Sequence, residues 1–183
     1  RWKPRAACRS WRNRKVKWCP MKLARTIRFD PSDLNVFPLA ADEGEWALVG
    51  TFCFASLSAD AISGKVKQAF SNGFLGCQSF GFSTLVSVVT ARPDDVATIE
   101  NLLATHLVEK FGAPSPAAAA GAVAEEIEFM AELCAPHKTG TLLALQRSWG
   151  DDGIKEVFRS LPKPDSCAEQ KIWTIIDDDV ENG

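Results

Sequence analysis

The sequence predicts an α+β fold in a single domain: a mostly antiparallel sheet of four to five strands with three helices packed on it. The first observation behind this prediction is the order of apolar patterns, which is strand, strand, helix, strand, helix, helix, strand, strand. Separate runs of strands and helices are typical of α+β domains. The second observation is the length of 183 residues, which suits one core, since domains run to roughly 100 to 200 residues.

Short apolar runs mark the strands. LARTIRF (23–29) ends at a cluster of turn residues, Asp30 to Asp33. WALVGTFCFA (46–55) is apolar on both alternating faces, which predicts a central strand covered on both sides. STLVSVVTA (83–91) predicts a further strand. The stretch 141–161 predicts a hairpin, because GDDG separates two strand patterns and Asp-Gly favours tight hairpin turns.

Apolar spacing and capping residues predict three helices, over residues 58–70, 93–111 and 117–134. Ser58 is expected to cap the first, and Gly73 and Gly76 to end it. Proline and two acids begin the second, where they suit the first turn and the positive end of the helix dipole. The apolar positions expected to share a helix face include Ile62, Val66, Phe70, Ile99, Leu103, Leu107, Val123, Ile127 and Met130.

The charges are distributed unevenly along the chain. Residues 1–20 hold eight Lys and Arg and no acid, and we interpret them as a basic N-terminal extension outside the fold, with Met21 as the natural start. The remaining residues hold 13 Lys and Arg against 23 Asp and Glu. This acidic body argues against binding of nucleic acid, unless the extension is genuine. Residues 162–183 are expected to form a linker and an acidic tail, which could add an edge strand.

Composition also limits the location of the protein. No apolar run approaches the roughly 20 residues needed to cross a bilayer, so no membrane association is expected. Six irregularly spaced cysteines without a CxxC pair or a secretory signal predict reduced thiols in a cytoplasm.

Cys134 and His137 form the one Cys-x-x-His pair, which has the chemistry of half a zinc site. No second pair accompanies it, so we expect no metal site. The same residues could form a thiol and base pair, but no third orienting group is evident, and we assign no catalytic residue. We therefore expect Cys134 to fill a buried helix position and His137 to belong to the helix stop, and keep both as low-ranked contact residues.

The stretch SNGFLGCQSFGFSTLVSVV (71–89) combines three glycines with three phenylalanines. Much of its apolar content is expected to be core, but loops carry function disproportionately. If part of this loop is exposed, Phe74, Gln78 and Phe82 are the first candidates for contact with a ligand or partner.

The stretches MKLARTIRFDPSD, GEWALVGTFCFA, GKVKQAFSNGFLG, SFGFSTLV, HLVEKFGAP, EEIEFMAELC and GTLLALQRSW together resemble a small bacterial family known as a domain of unknown function. The resemblance covers about residues 21–161. It implies no established reaction, cofactor or catalytic residue, and it implies an accessory role, such as assistance to an oxidoreductase.

Two functions follow as expectations. The first is a non-catalytic cytoplasmic accessory or binding protein, whose partner is another protein or a small ligand and whose cofactor, if any, is unknown. The alternative is a small thiol-dependent enzyme that uses a Cys/His pair, which requires an exposed cysteine of low pKa.

Overall fold

The computed structural model of the chain describes residues 21–58, 62–151 and 153–161. The interpretations of residues 1–20 and 162–183 as extension and tail lie outside these ranges. The described residues form an α+β fold with a seven-stranded antiparallel sheet and four α-helices, so the predicted fold class is confirmed. The predicted numbers of strands and helices were too low, because β3 and β4, of three and two residues, and a helix of five residues are too short to leave a periodic pattern.

The sheet is curled, and its strands follow the order β4-β3-β2-β1-β5-β6-β7, with every neighbouring pair antiparallel. The strands are β1 (Met21–Ile27), β2 (Trp46–Leu48), β3 (Phe74–Gly76), β4 (Phe82–Ser83), β5 (Leu85–Ala91), β6 (Leu142–Gly150) and β7 (Gly153–Leu161). The helices are α1 (Ser32–Val36), α2 (Gly64–Asn72), α3 (Pro93–Phe111) and α4 (Pro116–Cys134), and a 3₁₀ turn spans Thr51–Phe54.

The strand predicted over residues 46–55 ends at Leu48. Gly50 adopts a left-handed φ of 74°, which turns the chain into the 3₁₀ segment. At this turn the backbone passes so close to Leu75 that a Cβ on Gly50 would lie 2.4 Å from the Leu75 Cβ. The second half of the stretch is therefore a turn in which Thr51 and Phe54 are buried. The predicted strand covered on both sides is wrong beyond Leu48.

The first predicted helix also begins later than expected. Ser63, and not Ser58, occupies its N-cap position, and Gly73 follows its last turn as predicted, while Gly76 belongs to β3. Ile62 is buried just before the helix, whereas Val66 is 37 % exposed. The predicted apolar stripe is therefore wrong at Val66, since only the end of this short helix faces the core.

The two long helices match the predictions closely. A left-handed Gly112 with a φ of 72° ends α3, and the Ser115 hydroxyl caps α4 by accepting a hydrogen bond from the Ala118 N–H. α4 packs on β1. In β1, Ala24 pairs with Ala47 of β2. The helix positions that are buried include Ile99, Leu103, Leu107, Val123, Ile127, Met130 and Cys134.

The predicted hairpin is confirmed, and it extends beyond the rest of the sheet. β5 pairs with β6 only over Leu142 to Ala144, whereas β7 pairs along the full length of β6. The outer half of the hairpin is free to contact α2 instead. β7 forms one edge of the described sheet. In the described part of the chain, no helix combines the length and the apolar character that a membrane crossing requires.

Candidate functional site

Of the three candidates in the loop after α2, two lie in the packed interior. Phe74 has no exposed surface, and Phe82 is half-buried. The Phe82 ring packs against the rings of Phe37 and Phe54, with centroids 6.2 and 5.6 Å away. Gln78 is exposed. The structure thus leaves Gln78 as the one of these three side chains that faces solvent.

The loop that carries Gln78 is fixed by the carboxylate of Glu45, which is 3 % exposed. This carboxylate accepts hydrogen bonds from the backbone N–H groups of Gln78 (2.6 Å), Ser79 (3.0 Å) and Asp42 (2.7 Å) and from the Ser79 hydroxyl. A buried carboxylate needs such donors to offset its loss of hydration. The glycine-rich stretch is therefore a turn held by one acid, with little freedom to adapt to a ligand.

Phe80 is held in the left-handed region with a φ of 58°, which is unusual for a residue with a side chain. Its ring lies 4.3 Å from the centroid of His106, and the Lys110 ammonium lies 4.3 Å from the Phe80 centroid. The His106 Nε2 is 3.2 Å from the carbonyl oxygen of Cys77. His106 therefore joins α3 to the end of β3.

The Cys134 and His137 pair has the geometry of a helix end. Cys134 has no exposed surface, and burial raises the pKa of its thiol to about 12. The His137 N–H donates to the Cys134 carbonyl oxygen (3.1 Å), and among the described residues no hydrogen bond joins the sulfur to the imidazole. Lys22 closes this end by donating to the carbonyl oxygens of Ala135 (3.0 Å) and His137 (2.6 Å).

Of the other described cysteines, Cys77 is buried and Cys53 is half-buried. Burial is the largest cause that raises the pKa of both the Cys53 and the Cys77 thiols. Within the described ranges, no three His, Cys, Asp or Glu side chains are grouped so that they could hold a metal ion.

A groove between α2 and β6 offers a different kind of site, which sequence reasoning missed. We call it the α2–β6 groove, and it has a volume of about 320 Å³. The Phe70 and Trp149 rings stack with centroids 5.4 Å apart and planes inclined by 14°, and Trp149 remains 39 % exposed. The residues that line the groove are Ile62, Lys67, Phe70, Ser71, Arg147, Ser148 and Trp149.

Arg147 holds the two walls of this groove together. Its guanidinium is completely buried, and Nη1 donates to the carbonyl oxygens of Phe70 (3.0 Å) and Gly73 (2.9 Å) at the end of α2. Nε donates to the Thr51 hydroxyl (2.9 Å), and Nη2 donates to the Val49 carbonyl oxygen. One side chain of β6 thus fixes both the end of α2 and the chain that follows β2.

The charge of Arg147 is balanced within the hairpin. The Glu156 carboxylate on β7 lies 3.4 Å from Nε, and its side chain is 10 % exposed. Burial lowers the pKa of the Arg147 guanidinium, while Glu156 acts in the opposite direction. Because an arginine in a protein stays charged, Arg147 and Glu156 form a buried ion pair. Lys67 is the exposed cation among the described lining residues of the groove.

One signal in the sequence could have revealed this site. Leu143, Leu145, Arg147 and Trp149 alternate along β6, and the first three side chains are buried. An arginine at an inward position of a strand must be paired with acceptors from distant segments. The pattern TLLALQRSW predicts a strand, and its alternation places Arg147 on the buried face.

The fold and the groove define an α+β domain with a candidate binding site. The chain belongs to the family of unknown function DUF6505, whose model matches residues 21–176. This confirms the resemblance to an uncharacterised domain family and extends it past residue 161. No curated protein and no solved structure matches the chain.

Proposed function

We propose that this protein is a non-catalytic accessory protein that binds a small ligand in the α2–β6 groove. The observation that carries the proposal is the composition of the groove: an exposed aromatic face, one exposed cation and a serine hydroxyl group. None of the described lining residues is a Cys, His, Asp or Glu, so among them no imidazole or carboxylate is present to activate the serine and lysine side chains of the groove.

Of the expected occupants, a small ligand suits the groove better than a protein partner does. A volume of about 320 Å³ lies near the lower end of the range of about 300 to 1,000 Å³ that is usual for small-molecule sites. Such sites combine apolar surface with a few polar groups that fix the orientation of the ligand, and this groove contains Phe70 and Trp149 beside Lys67. Assistance to an oxidoreductase stays a prediction. The groove would serve that role only if its ligand were one that such an enzyme uses.

The burial of the cysteines argues against the thiol-dependent enzyme. A nucleophilic cysteine must be accessible and partly ionised at neutral pH. Cys77 and Cys134 are buried, and the pKa of every described thiol is raised. The free state of these three cysteines supports the proposal that the protein works in a reducing, cytoplasmic compartment.

Thiol labelling tests this argument. At neutral pH we expect iodoacetamide to modify Cys134 at least about 100-fold more slowly in the folded protein than in the denatured protein, because little thiolate forms and the sulfur is inaccessible. Peptide-resolved mass spectrometry measures the rate at each cysteine, and the denatured chain is the control. Equal rates in both states would restore the thiol enzyme as a candidate.

The same thiol predicts a direction for the dependence of stability on pH. The pKa of Cys134 is about 12 in the folded protein and 9.0 in its ordinary state. Above the ordinary value the unfolded chain loses the proton first, so the folded state binds more protons and its stability falls as pH rises. We expect the contribution of the Cys134 thiol to the free energy of unfolding to be fully present below about pH 8 and to decrease between about pH 9 and 12.

A ligand screen tests the proposed function. A panel of small metabolites is added to the protein, and the midpoint of thermal unfolding is measured. We expect at least one compound to raise the midpoint in the wild type and to have no such effect in Trp149→Ala, which removes the exposed aromatic face. Val157→Ala is the matched control, because Val157 is 53 % exposed on the same hairpin and does not line the groove. Stabilisation that persists in Trp149→Ala would contradict the proposal.

A further inference from the structure

We propose that the ligand of the α2–β6 groove is a small anion that carries a planar apolar group, with its anionic group at Lys67 and its planar group against Trp149. This inference rests on the proposed function, and it adds the chemical class of the ligand. Three features of the groove support it: the local charge, the polar groups that have no partner, and the fixed aromatic surface.

The groove is cationic in an acidic protein. Residues 21–161 contain 11 Lys and Arg against 17 Asp and Glu. In contrast, α2 contains Lys65 and Lys67 and no acid, and the described lining residues include two cations and no carboxylate. These nearby cations attract an anion and repel a cation, whereas the more distant acids of the protein are screened by salt.

The two cations of the groove differ in availability. The Arg147 guanidinium is completely buried, its donors are directed to carbonyl and hydroxyl oxygens of the protein, and its charge is balanced by Glu156. Lys67 is exposed, and its ammonium makes no hydrogen bond or ion pair with the described residues. The contact to an anionic ligand is therefore assigned to Lys67, while Arg147 positions the walls.

A hydroxyl group is placed beside this cation. Ser71 lies one helical turn after Lys67 on α2, and both residues line the groove. Within the described part of the chain, the Ser71 side chain makes no hydrogen bond. An ammonium and a hydroxyl on one side of a helix can together donate to a carboxylate, sulfonate or phosphate group.

The aromatic surface is held in place before a ligand arrives. One face of the Trp149 ring is covered by Phe70, and Phe70 is itself buried and packed edge-on against Phe54, with centroids 5.4 Å apart. A fixed indole surface binds a planar apolar group without a loss of side-chain entropy on binding. The restricted volume of about 320 Å³ favours one or two rings over a long chain.

A matched pair of fluorescent probes tests this inference. 1-Anilinonaphthalene-8-sulfonate is an aromatic anion, and N-phenyl-1-naphthylamine has the same ring skeleton without the sulfonate. We expect the wild-type protein to bind the sulfonate more tightly than the neutral probe. Lys67→Met should weaken binding of the sulfonate by about 3- to 5-fold and leave the neutral probe unchanged. Added salt should weaken binding of the sulfonate alone.

Two further variants complete the design. Lys65→Met is the control for Lys67→Met, because Lys65 is an exposed cation on the same helix that does not line the groove. It should leave both affinities unchanged. Trp149→Ala should weaken both probes, and thermal unfolding of each variant checks that the fold is intact before the affinities are compared.

The outcomes separate this inference from the function on which it rests. Equal affinities for the two probes, or equal effects of Lys65→Met and Lys67→Met, would overturn the anionic class and leave a neutral ligand in the groove. Affinities for both probes that are unchanged by Trp149→Ala would overturn the groove as the binding site. Binding that is seen only after residues 162–183 are removed would overturn a free small ligand in favour of the chain's own acidic tail.

Discussion

Replacement of Arg147 by methionine is expected to lower the free energy of unfolding by about 3 to 5 kcal/mol. The substitution removes a completely buried cation and leaves the Glu156 carboxylate, which is 10 % exposed, without this charge partner. It also removes the donors to the carbonyl oxygens of Phe70, Gly73 and Val49. Unsatisfied buried acceptors cost more than the net energy of the hydrogen bonds that served them.

Chemical denaturation measures this effect, with Arg159→Met as the matched control. Arg159 is exposed on β7, and its guanidinium lies 3.5 Å from the Gln146 side chain, so its replacement should cost less than about 0.5 kcal/mol. The double variant Arg147→Met/Glu156→Gln should recover part of the loss, because it removes the unbalanced charge. Equal stabilities of the two single variants would show that Arg147 does not hold the hairpin to α2.

Replacement of Gly76 by alanine is the second change with a large expected effect. A Cβ at Gly76 would lie 2.4 Å from Oε1 and 2.5 Å from Cδ of Glu45, so the buried carboxylate would have to move. Its displacement breaks the hydrogen bonds to the 78–79 loop, and we expect a loss of about 2 to 4 kcal/mol. The backbone at Gly76 is an extended strand that alanine can adopt. The loss of stability therefore arises from the steric clash with Glu45 and not from backbone strain.

Gly121→Ala is the control of opposite sign. Gly121 lies inside α4, and a Cβ there would meet no atom within 4 Å. Alanine has the higher helix propensity, so this variant should gain about 0.5 to 1 kcal/mol. Denaturation curves of the two alanine variants should therefore shift in opposite directions. A Gly76→Ala protein as stable as the wild type would mean that Glu45 does not fix the loop.

The parts of the fold that were predicted correctly are those with local signals. α3 begins at a proline followed by acids and ends at a left-handed Gly112, and both features can be recognised without knowledge of the tertiary structure. α4 and the β6–β7 hairpin likewise combine a clear period with a recognisable turn or cap. Such elements are specified by residues that lie within a few positions of one another.

The missed parts depend on contacts between distant segments. β3 and β4 have three and two residues, which is too short for alternation to be visible. The chain leaves the strand pattern after Leu48 because Gly50 must pass close to Leu75. The candidate site could not be predicted for the same reason, since the acceptors of Arg147 outside the hairpin lie 74 to 98 residues away in the sequence.

The position of Arg147 also determines how this region can open. Its guanidinium joins the end of α2, the turn after β2 and the outer half of the hairpin, and separation of any one of them removes part of the acceptors of a buried cation. We therefore expect these three segments to open together. A ligand seated between α2 and β6 would stabilise all three segments, so occupancy of the groove would be transmitted to residues 49–54, which do not line it.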